Sequence, residues 1–181
     1  MNKDNIINFA IDPTFFLKVG ETTFGLDKKL LTRNSEELSN TIMTLRDDQR
    51  ILDFSDDYSL TEEAFSVVMM FYYTPSWCTF NINKEHFNII WQIVYSCNKF
   101  GFTKFLNEVE KYLIENCNYL VETLKVSSNF KLKNLKKKCL TFLATNSIPE
   151  EQIDLLSDLN TEDLISLIRV QNQIITKNKG K

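Results

Sequence analysis

Glycine and proline are scarce in this chain, which has 4 Gly and 3 Pro among its 181 residues. Because these two residues most often interrupt helices and strands, the sequence leaves little room for long loops. Apolar residues recur at helical spacing from Thr61 onward, beginning with Phe65, Val68, Met69 and Tyr72 at i, i+3, i+4 and i+7. The sequence therefore predicts a chain that is mostly helix.

The front of the chain departs from this pattern. Residues Thr14 to Val19 and Thr22 to Leu26 are rich in Phe, Val and Thr, and the Gly20-Glu21 corner between them suits a type II′ hairpin turn. A third strand is predicted over Arg50 to Phe54, because turn-forming Ser and Asp residues follow it. A brief edge strand over Thr79 to Ile82 would extend this small sheet.

A helix is expected before the third strand, since Leu30, Leu31, Leu38, Ile42 and Leu45 offer an apolar face. Its predicted start is Asn34 or Ser35, with two glutamates following in the first turn. Helical spacing continues from Asn116 to Ile175 and predicts further helical hairpins. The predicted fold class is thus α+β and mostly helical: a small sheet capped by helical hairpins, with a helical extension.

Composition and charge narrow the classes of partner. The chain has 43% hydrophobic and 25% charged residues, as ordinary globular proteins do. Its net charge of -3 and pI near 5.3 give no broad footprint for nucleic acid or an anionic membrane. The start lacks a basic end followed by a long apolar run, and the uncharged apolar stretches are too short to span a bilayer. We expect an intracellular protein, cytoplasmic or nuclear, that binds neither nucleic acid nor membrane.

Residues suited to catalysis are few. His86 is the only histidine, which excludes a histidine-based triad and a multi-histidine metal site. The carboxylate pairs Glu36-Glu37, Glu62-Glu63 and Glu150-Glu151 fall where helices should begin, and negative charge there is favourable by about 0.3–1 kcal/mol. We therefore expect no catalytic residue, no metal and no cofactor, and an enzyme is the disfavoured class.

Two further features have ordinary structural interpretations. The basic run KLKNLKKKC carries Leu132, Leu135 and Cys139 at helical spacing, which indicates an amphipathic helix with a solvated lysine face. The other cysteines, Cys78, Cys97 and Cys117, lie far from one another and form no CxxC pair. A chain of this length folds without disulfides, so we expect all four cysteines to be reduced and buried.

Three segments in this order resemble a BTB/POZ domain over residues 12 to 117. In DPTFFLKVGETTFGLDKKLLTRNSEEL, residues Asp12, Phe24, Lys28, Leu31 and Ser35 occupy positions that recur in the family's opening. The passages ILDFSDDYSLTEEAFSVVMMFYYTP and SCNKFGFTKFLNEVEKYLIENC resemble its later strand-to-helix segment and its last helix hairpin. Two departures are Asp27 in place of the usual His and Leu38 where an aromatic residue is common.

The resemblance implies a division of the chain. Residues 1–117 would form the BTB/POZ domain, residues 118–176 resemble the start of a BACK region, and residues 177–181 form a tail. In that family the BACK helices extend the BTB platform. The sequence shows no kelch-type blade repeat and no zinc finger after them.

The family resemblance also implies a protein-binding module that forms homodimers. Asp12 and Lys28 match a charged pair that sits in a pocket at the dimer interface in relatives, and such a pair fixes geometry more than it adds stability. The alternative is that both are exposed ends of a strand and a helix. The predicted dimer interface also includes Ile6, Ile7, Phe9 and Leu31, although the segment Ile6 to Phe9 could instead be a strap on its own domain.

Many relatives bind a cullin and act as ubiquitin-ligase adaptors, and this implies a second surface. Its predicted partner-binding residues are Phe65, Met69, Tyr73, Trp77, Phe80, Tyr119 and Leu124. The hydrophobic, any, acidic triplet common in cullin-binding relatives is missing, because nothing acidic lies from Ala64 to Tyr73. A structural or regulatory module that associates without a cullin is therefore the alternative, and a tetramerisation domain of the potassium-channel type is a related fold with a similar opening.

Overall fold

The structure, a computed structural model, describes residues 5–46, 49–74, 89–116, 120–146 and 150–179. It is α+β and mostly helical, with a small mixed sheet, as the sequence predicts. The chain divides into two compact units, Met1–Val109 and Glu110–Lys181. The division falls inside a helix that runs from Thr103 to Asn116, ahead of residue 117 where the sequence places the boundary.

The sheet belongs to the first unit and has the strand order β1-β3-β2-β4 in the described residues. Its strands are β1 (Asn5–Asn8), β2 (Phe15–Val19), β3 (Thr22–Leu26) and β4 (Ile51–Asp53). β2 and β3 form an antiparallel hairpin, whereas β1 pairs parallel to β3 and β4 pairs parallel to β2. The three predicted strands are confirmed, and β1 is an additional strand. The predicted strand over Thr79 to Ile82 lies outside the described residues.

The hairpin turn has the geometry that the sequence predicts. Gly20 has φ of 56°, in the left-handed region, and Glu21 is not among the residues with positive φ. One positive φ at the first central position matches a type II′ turn, whereas type I′ needs two. The Glu62 carboxylate makes two hydrogen bonds to this turn. Its Oε1 accepts a hydrogen bond from the backbone N–H of Glu21 at 2.7 Å, and its Oε2 accepts one from the Thr22 hydroxyl at 2.6 Å.

Helices surround the sheet in the first unit. They are α1 (Lys28–Asn34), α2 (Glu36–Met43), α3 (Glu62–Tyr73), α4 (Ile90–Lys99) and the first part of α5 (Thr103–Asn116). Ser35 caps α2 by accepting the Leu38 N–H at 2.9 Å, which confirms the predicted start. Asp27 caps the preceding helix α1, so the apolar face predicted from Leu30 to Leu45 is divided between two helices, and Leu45 lies just beyond the end of α2.

Aromatic rings fill the core of this unit. Phe65 lies at the centre, 5.0 Å from the ring of Phe24 on β3 and 5.5 Å from the ring of Phe100, both in edge-on contact. All three side chains are buried. Edge-to-face pairs of this kind contribute about 0.5–1.5 kcal/mol each beyond the area they bury.

The second unit consists of helices in the described residues. It contains the end of α5, then α6 (Leu120–Asn129), α7 (Lys133–Thr145), α8 (Glu150–Ile153), a short 3-10 helix (Asp154–Asp158) and α9 (Thr161–Lys179). Asp163 is fully buried. It accepts a hydrogen bond from the Ser128 hydroxyl at 2.7 Å and forms an ion pair with Lys136 at 2.7 Å. This carboxylate therefore ties α6, α7 and α9 together.

Candidate functional site

Two surfaces have features of an interaction site, and the first is the sheet edge formed by strand β1. It is held to its own chain by parallel pairing with β3, in the register Asn5 to Thr22 through Asn8 to Gly25. The carbonyl of Gly25 accepts the N–H of Phe9 at 2.9 Å. A Cβ at Gly25 would meet the Asn8 side chain and would lie 2.9 Å from Pro13 Cγ, so the glycine permits this close approach. The segment is thus a strand of its own domain, and a contact with a second copy stays a prediction.

The other edge of β1 is free among the described residues. Every residue of the strand is exposed, with 57% exposure for Ile6 and 37% for Ile7, and the strand Asn-Ile-Ile-Asn has no charge. Natural sheet edges are usually blunted by charge, proline or shortening, because an open edge can pair with another strand. The opposite edge, β4, has three residues and carries Asp53, which lies 3.9 Å from Lys18. Of the two edges, β1 is the one suited to pairing.

Phe9 anchors the end of β1 to the body of the first unit. Its half-buried ring lies 6.2 Å from that of Phe24 and 5.6 Å from that of Tyr73. The Tyr73 hydroxyl accepts the backbone N–H of Asp27 at 2.6 Å, and burial of the ring raises the pKa of this phenol. Tyr73 is thus engaged within the chain, where the sequence predicts a partner-binding residue.

A basic groove along α1 and α2 is the second surface. It has a volume of about 770 Å³ and continues into an adjoining groove of about 380 Å³, with Thr14, Lys28, Ile42 and Met43 lining both. We call the two together the α1–α2 groove. Its cations are Lys28, Lys29, Arg33, Arg46 and Arg50. Among its described lining residues the acidic one is Asp27, whose carboxylate is occupied by the Lys29 and Leu30 N–H groups.

The charged pair predicted for the dimer interface is not formed within one chain. Asp12 and Lys28 are both exposed, and the described residues include no ion pair between them. The backbone N–H of Lys28 donates to Thr14 Oγ1 at 2.9 Å, which links the start of α1 to the residue that precedes β2. A role for the two charges between copies stays a prediction.

Four predicted surface residues lie in the core, and their assignment as contact residues is corrected. Leu31, Phe65, Met69 and Leu124 are at most 1% exposed, so a partner has no access to their side chains in this structure. Helical spacing showed which residues share a face, but these faces are covered by other parts of the same chain. The predicted residues Trp77, Phe80 and Tyr119 lie outside the described residues, as does His86.

Several exposed residues at these surfaces were not predicted from the sequence. Ile11 is fully exposed beside the end of β1, and Met43 is 78% exposed in the α1–α2 groove. Arg46 and Arg50 follow Met43 at i+3 and i+7, and both line the same groove. The signal for this set was an apolar residue at a helix end with two arginines shortly after it in the sequence.

Groups suited to metal binding or nucleophilic catalysis are few in the part of the chain that the structure describes. It contains no group of three or more His, Cys, Asp or Glu residues placed to hold a metal ion, and no described helix is long and apolar enough to cross a membrane. Cys97 and Cys139 are buried thiols outside any disulfide, as predicted, and burial raises the pKa of the Cys97 thiol. A thiol held protonated is a poor nucleophile.

Comparisons with known proteins add no identification. The sequence matches no protein-family model, and it matches no curated protein.

Proposed function

We propose that this chain is a protein-interaction module that associates with a second copy of itself through the free edge of β1. The observation that carries the proposal is the uncharged, exposed strand at this edge. Pairing two such strands would satisfy backbone groups that now face solvent and would bury Ile6 and Ile7 against the partner.

The sequence of β1 is symmetric, and this favours a second copy as the occupant. Asn5, Ile6, Ile7 and Asn8 read the same in both directions. Antiparallel pairing about a two-fold axis between Ile6 and Ile7 would place each Ile6 opposite an Ile7 and each Asn5 opposite an Asn8. Closed two-fold interfaces bring the same patch of both copies together, so a palindromic strand is complementary to itself. The BTB/POZ resemblance supports the same conclusion, since its members commonly form homodimers.

The two candidate forms of this module are one that binds a cullin and one that associates without a cullin. The form without a cullin is better supported. Phe65 and Met69 of α3 are buried, and Met70, at 46% exposure, is the large apolar side chain of this helix most open to solvent. The acidic residue that cullin-binding relatives carry is missing from this helix after Glu63. An adaptor that recruits a cullin-type ubiquitin ligase to a partner is the second candidate, favoured by the family resemblance alone.

Oligomeric mass tests self-association. We expect the wild-type chain to elute as a dimer in size-exclusion chromatography with light scattering, and Ile6→Lys to shift it to a monomer. Ile51→Lys is the matched control, because it puts the same charge on an exposed isoleucine at the opposite edge. Circular dichroism checks that both variants fold. A monomeric wild type at about 100 μM, or equal loss of dimer in both variants, would contradict the proposal.

Adding the N-terminal domain of a cullin to the same measurement separates the two candidates. A dimer whose mass is unchanged by the cullin supports a module that acts on other partners. A shift to a two-plus-two complex would instead establish the adaptor function.

A further inference from the structure

Helix α7 concentrates positive charge on the outer face of the second unit. It carries Lys133, Lys136, Lys137 and Lys138, and no acidic residue lies between Lys133 and Thr145. Its inner face is fixed by buried Leu135, Cys139 and Leu143. The chain as a whole has a net charge of -3, so this concentration is local and opposite in sign to the average.

A groove between α7 and α9 lies beneath these lysines. Its volume is about 540 Å³, within the range of about 300–1,000 Å³ typical of ligand sites. Leu140, Val170 and Ile174 provide apolar lining, and Lys133 and Lys137 are exposed at its rim. We call it the α7 groove. An apolar lining with a cationic rim suits a partner that has an apolar stripe flanked by acid groups.

Two carboxylates of α9 pair with Lys136 of this groove and not with the lysines at its rim. Asp163 is buried and pairs with Lys136 at 2.7 Å, and exposed Glu162 lies 3.8 Å from the same lysine. In the described part of the chain, Lys133 and Lys137 have no ion pair. Their charges are therefore available to a partner.

The apolar surface continues across the other side of α7. A second groove of about 490 Å³ is lined by Ile114 and by Phe142, whose side chain is 44% exposed, and it shares Lys137 and Thr141 with the first. The neighbouring Leu143 is buried, whereas the Phe142 side chain lies at the surface. Lys137 thus stands between two apolar grooves.

From these observations we propose that the α7 groove binds an acidic amphipathic helix of a partner protein. Its leucine-type side chains would lie on Leu140, Val170 and Ile174, and its carboxylates would reach Lys133 and Lys137. Charge across such a rim mainly selects the partner and speeds association, while the apolar contacts supply most of the affinity. This proposal does not depend on self-association through β1.

The apolar lining favours a helix over a nucleic acid. A surface that binds phosphates uses its cations for most of the affinity and gains nothing from burying Leu140 or Ile174. An acidic amphipathic helix uses both parts of the groove. The two partner classes differ in what their binding requires, and this difference can be measured.

Fluorescence anisotropy with a defined peptide tests the proposal. The probe is a fluorescein-labelled synthetic peptide of about 14 residues with Leu at i, i+3, i+4 and i+7, Glu at the positions that flank this stripe and Ala elsewhere. Alanine favours the helix, and fewer glutamates limit repulsion between like charges. We expect the full chain to bind it with a Kd on the order of 10–100 μM, and Lys137→Glu to raise that Kd about tenfold. Arg169→Glu is the matched control, because it reverses one exposed charge of α9 that does not line the groove, and it should leave the Kd unchanged.

Two changes to the probe separate the contributions. Replacing its leucines by serine should abolish binding, and replacing its glutamates by lysine should do the same. Equal binding of the serine peptide, an unchanged Kd in Lys137→Glu, or no binding of the original peptide at about 1 mM would overturn the proposal. A labelled single-stranded RNA that binds more tightly than the peptide and loses affinity in Lys137→Glu would also overturn it, in favour of a nucleic-acid site.

Discussion

The hydroxyl of Tyr73 at the end of α3 accepts the backbone N–H of Asp27, the residue that caps α1, at 2.6 Å. This bond joins the C-terminal end of one helix to the N-terminal end of another. It also occupies the polar atom of a side chain whose ring packs on Phe9. Tyr73 therefore connects Phe9, which anchors β1, to helices α1 and α3.

Tyr73→Phe tests that link. The variant keeps the ring on Phe9 but leaves the Asp27 N–H without its acceptor, so we expect the free energy of unfolding to fall by about 1–3 kcal/mol. Urea denaturation followed by circular dichroism measures it. Tyr58→Phe is the control, because Tyr58 is 94% exposed. If both variants are equally stable, the hydrogen bond contributes nothing and Tyr73 becomes available as a partner contact.

Gly25→Ala should displace β1. The added methyl group would meet the Asn8 side chain and lie 2.9 Å from Pro13 Cγ, and overpacking of this kind costs about 1–3 kcal/mol. Hydrogen exchange should become faster at the Phe9 amide, which donates to Gly25, while the β2–β3 amides remain protected. Asn8→Ala in the same chain should restore part of the protection. Unchanged exchange at Phe9 would show that β1 does not pair with β3 in solution.

Asp57 should make the first unit sensitive to acid. The hydrogen bond from the Lys99 ammonium lowers the pKa of this carboxyl, with smaller help from Ser59 and Tyr95 against a partial desolvation. A pKa below the ordinary value of 3.8 means that the folded state favours the carboxylate. The stabilisation is complete above the unfolded pKa and is lost as the pH falls through the folded one.

The measurement for Asp57 is the free energy of unfolding against pH. We expect Asp57→Asn to be less stable than wild type at pH 7 and to lose less stability below about pH 4. Asp56→Asn, at an exposed neighbouring position, is the control. Parallel pH curves for wild type and Asp57→Asn would contradict the assignment.

Glu110 should stabilise the second unit through α7. Its Oε1 accepts the N–H groups of Asn134 and Leu135 at 3.0 Å each, so a carboxylate from α5 lies against the N-terminal end of α7. Glu110→Gln removes the charge from these bonds and should lower the free energy of unfolding by about 1–2 kcal/mol. The melting temperature and the exchange rate of the Leu135 amide measure the effect. Glu115→Gln, on an exposed part of α5, should change neither.

Local signals in the sequence were sufficient for much of the fold. The strand Thr22–Leu26 has the predicted bounds, and Ser35 caps a helix where a cap was predicted. Both depend on residues within a few positions of one another. The end of α1 just before Ser35 was not predicted, because the apolar residues on either side of Ser35 continue the same helical spacing.

Contacts between distant segments were beyond the sequence. The parallel pairing of β1 with β3 depends on the glycine at position 25, which no local pattern links to Asn8. Phe65, Met69 and Leu124 were assigned to a surface because periodicity defines a face without showing what covers it. Buried Asp163 was missed for a related reason: a charged residue at a helix start is normally solvated, and here Ser128 and Lys136 replace the water.

Two of the four cysteines are buried thiols within the described residues, and each can report on the unit in which it lies. Cys97 lies in the first unit and Cys139 in the second, and both are closed to solvent. An alkylating reagent reaches such a thiol only when the surrounding helices open, so the rate of modification at each position measures the opening of its own unit. Digestion and mass spectrometry assign the label to individual cysteines, so that Cys97 and Cys139 are measured separately from Cys78 and Cys117. The unmodified protein thus allows the local opening of its two halves to be timed separately in one sample.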